Sequence, residues 1–422
     1  MNRFQEILKT IVTLFCLFLA SEVGASPVSE FLDRLEIQNP SSLEQALLSL
    51  PPRMLSRFSL VYRSSSMQTA SYEKPRAILY SNRADFVVGM TGMHRSLADR
   101  SMEMMQFNQA NQSFELFSLE FPLKRDRQGR IVRPEKNPAV CLSCHGANPM
   151  PIWGSYLNWE GVYGSREDRI DGSRGPHDLA EGRHLVKFLR SRHQIEPYRI
   201  LKPVDGSKYS PYCDNDDACN TNLAPNLYLG TMFTRWSARR TAHIVSQSTH
   251  FRRYATLFIY LLVSNQMQIS NAQHEILWKN LADDFGDQNV AAARTLIPGE
   301  AVVAGHLYYL LGNLSPANTY LTEKPGSTLS TSDGFTNPRE LVAYELVKKL
   351  KFRQSYQDLW EVFSVKDFAN RFYPPEVQRQ MKMEPFLIRA DGISKSLRMK
   401  SGGSFQQRFR TLIIHDYGLD QQ

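Results

Sequence analysis

One pentapeptide restricts this chain more than any other feature: Cys141-Leu142-Ser143-Cys144-His145, followed by Gly146. Two thiols three positions apart fall on a single helical turn. From there each can add to one vinyl group of the same porphyrin, and the adjoining imidazole can donate a ring nitrogen to its iron. Gly146 lets the backbone leave the porphyrin plane without a side-chain clash. With 5 Cys and 10 His in 422 residues, chance alone yields such a pattern in about one comparable sequence in seven hundred.

At 141–146 the chain resembles a c-type cytochrome, through Cys-x-x-Cys-His-Gly. The resemblance implies one covalent haem c, with Cys141 and Cys144 as the thioether positions and His145 as the proximal iron ligand. It also implies electron transfer with a redox partner protein. Small members of that family are mostly helical, with a methionine well downstream; here the motif follows strand-like runs and precedes a long helical region. The stretch from Asn137-Pro138 through the motif to Pro151-Ile152-Trp153, Trp159 and Gly161-Val162-Tyr163-Gly164 resembles exported bacterial proteins that carry one such motif.

Two other chemistries use the same thiol pair. A thiol–disulfide oxidoreductase places it at a helix start within a βαβ unit, and no such unit surrounds 141–145. A structural zinc site needs two further ligands, which Cys213 and Cys219 would supply. Those two cysteines pair more simply as a local disulfide closing residues 214–218. Asp214, Asp216, Asp217, Asn220 and Asn222 make the 214–222 loop rich in oxygen ligands for calcium, but its spacing misses the EF-hand pattern, and a solvated acidic loop is the simpler reading.

Compartment agrees with haem attachment. Residues 1–25 read as a signal peptide: Arg3 and Lys9 flank Glu6, residues 11–20 are apolar, and Val23-Gly24-Ala25 offers a small-residue cleavage site. The apolar core is too short to span a bilayer comfortably, so no integral span is expected in the mature chain. Export to the periplasm of a Gram-negative bacterium follows. The net charge of +8 favours anionic partners, yet no long basic block appears, which argues against nucleic acid.

The expected fold is α+β. Residues 26–122 form a β-rich unit with a short helix over 36–52, begun by Ser41 and Glu44 and closed by Pro51-Pro52. Strands are expected at 58–62, 77–80, 85–88, 102–107 and 114–121, with turns at 81–84 and 108–112. Residues 123–177 form a loop-rich haem segment, and 178–422 are mainly helical. Within that last region, 256–263 predicts a buried helix and Asn337-Pro338 with Glu340 a helix start.

The sixth iron ligand has several candidates: Met150, Met232, His243 and His306, or an open position. Core packing is the plain alternative for each. Trp153, Tyr156, Trp159 and Tyr163 are placed either to pack on the porphyrin and exclude water or to anchor a loop. Arg235, Arg239, Arg240, Arg252 and Arg253 suit carboxylates, either haem propionates or an acidic partner, against the alternative of a solvated helix face. An open distal site would turn the expected carrier into a peroxidase-like haem enzyme or a haem-based sensor.

Overall fold

The computed structural model describes residues 26–64, 66–152, 161–163, 176–202, 225–264, 269–312, 338–350 and 413–420. Two helices come first, α1 (Pro27–Gln38) and α2 (Leu43–Leu48). Ser26 and Ser42 cap them, accepting from Ser29 N and Gln45 N at 3.2 Å each. The short helix expected within 36–52 is α2, but residues 36–38 belong to the separate α1. Asn39 adopts a left-handed φ of 48° and ends α1; Pro40 follows, and the cap falls on Ser42 instead of Ser41.

Five strands then form an antiparallel meander in the order β1-β2-β3-β4-β5. They are β1 (Phe58–Val61), β2 (Arg76–Tyr80), β3 (Phe86–Met90), β4 (Ser101–Asn108) and β5 (Ser113–Glu120). All lie where sequence places them. Register runs through Leu60↔Ala77, Ile78↔Gly89, Val88↔Met104 and Met104↔Phe117.

Both faces of the sheet are covered, and for that reason β1–β3 are buried along their whole length. On one face Ala77, Leu79, Val88 and Met104 meet Phe31 and Leu35 of α1. On the other, Ile78, Val87, Met105 and Phe107 face the segment that carries the cysteine motif and the start of a long helix.

The helices after the sheet are α3 (Ala139–His145), α4 (Pro176–Ser191), α5 (Pro225–Ser246), α6 (Phe251–Ser264), α7 (Asn271–Phe285), α8 (Asp287–Leu296), α9 (Ala304–Gly312) and α10 (Pro338–Leu350). Leu229, Met232, Phe233 and Trp236 of α5 pack on the sheet. Its Ala238, Ala242 and Val245 belong to a second core with α6–α10. The apolar run 256–263 is the buried centre of α6, as expected. No described helix is long and apolar enough to cross a membrane.

Candidate haem-attachment site

The motif is mounted on the edge strand β5 through Asn137. Its side-chain Oδ1 accepts from Leu116 N and its own N–H donates to Leu116 O, both at 2.8 Å. That two-way bond holds Asn137 at a φ of 55°, a left-handed value asparagine tolerates. Pro138 then fixes the entry to α3, and Cys141 N–H bonds Pro138 O at 2.8 Å. The expected single turn carrying both thiols is present as α3. It ends at Gly146, whose φ of 80° and ψ of 165° lie in a region essentially restricted to glycine.

α3 lies on the sheet without being covered. None of its residues is buried, Val140 is 50% exposed, and Cys144 is exposed. Cys141 is half-buried and packs against the cluster that holds Met105, Met150 and Met232. Both thiols are free.

His145 is oriented from behind. Its Nδ1 lies 2.6 Å from the carbonyl oxygen of Met150. A carbonyl can only accept, so Nδ1 carries the proton and the neutral ring keeps its lone pair on Nε2. This is the arrangement metal-bound histidines use, with one ring nitrogen donating to a backbone carbonyl and the other free to ligate. Burial, aided by Arg76, holds the imidazole below its usual protonation range against the opposing pull of Met150 O and Glu103. The ring is therefore neutral at pH 7, as a ligand must be.

An ion pair sits beside the motif. Arg76 Nη2 meets Glu103 Oε2 at 2.6 Å, and Arg76 Nε donates to Gln68 Oε1 at 2.8 Å. Burial pushes the Cys141 thiol up to about 11, with Glu103 and Cys144 adding to it. Thiol–disulfide exchange depends on a stabilised thiolate, so this surrounding disfavours that chemistry.

The other sequence candidates separate. Met150 backs the His145 ring with its carbonyl while its side chain stays in the cluster. Met232 is fully buried in the same cluster. His243 lies on a cavity wall. His306 is a core residue of the helical layer: Nδ1 accepts from Val303 N at 3.1 Å, Nε2 donates to Ile297 O at 2.7 Å, and the ring meets Trp278 edge-on. Tyr163 anchors its loop among Tyr62 and Tyr72, donating to Tyr72 O at 3.1 Å. It belongs to the core on the sheet face away from Cys141.

The arginines do not form one patch. Arg235 and Arg239 flank the Trp236 ring; Arg239 pairs with Glu345 at 3.2 Å and Arg253 with Asp284 at 2.8 Å. Arg252 is exposed. Arg240 donates to Asn148 O at 2.6 Å. Residues 1–25, expected to be a leader, Cys213 and Cys219, the 214–222 loop, Trp153, Tyr156 and Trp159 lie outside the described residues.

Sequence reading misses Asn137 as the mount of α3 and Met105 as a neighbour of Cys141. The second was within reach: with period two along β4, Glu103, Met105 and Phe107 share a face.

The chain matches no family model, no curated protein and no solved structure. Among the described residues no group of three or more His, Cys, Asp or Glu side chains is placed to hold an ion on its own. The donor set at α3 fits a different kind of ligand: two free thiols on one uncovered turn, an apolar neighbour in Val140, and a neutral imidazole whose Nε2 has no hydrogen-bond partner among the described residues.

Proposed function

We propose that this chain is a monohaem c-type cytochrome that moves electrons between partner proteins outside the cytoplasm. The carrying observation is the bond from His145 Nδ1 to Met150 O beside two free thiols on one helical turn. Cys141 and Cys144 would hold the porphyrin through thioether bonds, and His145 Nε2 would ligate its iron. When bound, haem c supplies a one-electron couple between ferric and ferrous iron.

The chain's own groups do the rest. Met150 O fixes the imidazole tautomer and makes the ring a stronger donor. The cluster of Met105, Met150 and Met232 gives Cys141 a dry surround, and a low local dielectric raises the potential of an attached iron. Uncovered α3 leaves an edge open to a partner surface, as outer-sphere transfer requires.

The test is expression with a working haem-attachment system. The expected product is coloured, heavier than its polypeptide by one haem, and keeps its Soret band through acid–acetone extraction. Cys144→Ala should lose most of the covalent haem. Colourless protein of polypeptide mass would overturn the reading, as would unchanged haem content in Cys144→Ala. A high-spin ferric spectrum would replace the carrier by the peroxidase-like or sensor reading with an open distal position.

A further inference from the structure

A cavity of about 750 Å³ opens between the β4–β5 turn, residues 147–149 and the facing ends of α5, α7, α8 and α9. Among the described residues its wall contains Arg240, His243 and His250 and no Asp, Glu or Lys. Arg240 is 3% exposed, and its one bond among the described residues goes to a backbone carbonyl, Asn148 O. Its neighbours on α5 and α6 reach carboxylates: Arg239 finds Glu345, and Arg253 finds Asp284. Arg240 finds none. A guanidinium stays charged at any working pH, and a buried charge without a counter-charge is costly. An anion in the cavity removes that cost. The rest of the described wall is uncharged and mixes amides, Asn111, Gln247 and Asn289, with apolar side chains such as Phe114, Ile244 and Leu310, which suits a ligand that carries hydroxyl groups on a carbon frame.

We propose that this cavity binds a free, small, hydroxylated organic acid, with its carboxylate on Arg240 and its hydroxyls on the wall amides. The site uses neither the thiols nor His145, so it can be tested in protein that carries no haem. The test is isothermal titration of the purified chain, with and without attached haem, using gluconate, citrate and galacturonate, and glucose as the neutral control. At least one acid should bind saturably, with glucose at least about tenfold weaker. Arg240→Gln should weaken the acid by about 10–100-fold. If that variant does not fold, Gln247→Ala, which removes one of the wall amides at an exposed position, should weaken it by about 3–10-fold at an unchanged melting temperature.

Four results would overturn the proposal. None of the three acids saturates up to about 10 mM; glucose binds as tightly as the acids; the folded variants bind unchanged; or attached haem abolishes binding, since the cavity then belongs to the cofactor.

Discussion

Asp99 shows how single side chains hold the frame beneath the motif. It is fully buried and accepts from Thr69 N at 2.7 Å, Thr69 Oγ1 at 2.9 Å, Arg95 N at 2.8 Å and Ser96 N at 3.0 Å. The chain it pins leads directly into β4. There Ser101 O accepts from Gln68 Nε2 at 2.8 Å, and Gln68 in turn holds Arg76 against Glu103. Burial alone would push the Asp99 carboxyl up, but the donors outweigh it and hold it below the usual range. A depressed folded value means stabilisation that is complete above the ordinary carboxylate value of about 4 and disappears as pH falls through the depressed one. Asp99→Asn should therefore cost about 2–4 kcal/mol at pH 7, and its gap from the parent should narrow below pH ~4. Denaturant unfolding at pH 7 and pH 3 measures both; an equal gap at the two pH values would refute the assignment.

At the scale of elements, α3 depends on how it ends. Gly146 turns the chain so that Met150 O returns to the His145 ring four residues later. An alanine there is forced into a region of the backbone map that costs of order 1–3 kcal/mol. Gly146→Ala should lower stability by that amount, and it should also loosen the His145–Met150 bond. In haem-loaded protein the looser bond would appear as a shifted reduction potential, whereas a purely structural glycine would move the melting temperature alone. The turn of α3, the five strands and the buried run of α6 were legible in sequence because each has its own local signal: thiol spacing, alternation with turn residues, unbroken apolarity. α1 was not, since its Ser26-Pro27 start abuts a stretch that reads as a leader. The cap at Ser42 was not, because Ser41 and Ser42 are equivalent in pattern and only packing selects one. The roles of Asn137 and Arg240 were hidden for a deeper reason: Arg240 reads only as one of several arginines suited to carboxylates, and the partners of the two residues, Leu116 and Asn148, are set by tertiary approach and leave no periodic trace.

Across the whole molecule, α5 is the element shared by two cores. Its 22 residues span about 33 Å, starting against the sheet and finishing among the helices. Trp236 stands where the cores meet. It is 1% exposed, stacks on Phe107 at 4.8 Å, and donates from Nε1 to Arg83 O in the β2–β3 turn at 2.9 Å. The guanidinium of Arg239 lies 5.0 Å from its ring and pairs with Glu345 of α10, so one side chain ties the sheet to the helical layer. Trp236→Ala should cost about 3–5 kcal/mol. Because the lost contacts join two otherwise separate apolar clusters, the cost should fall on their cooperativity: the variant should melt in two resolved steps where the parent melts in one. Calorimetry reads this directly. A single transition shifted by less than about 1 kcal/mol would mean that the rest of α5 couples the cores without Trp236, and that the sheet carrying α3 is held to the helical layer by other contacts.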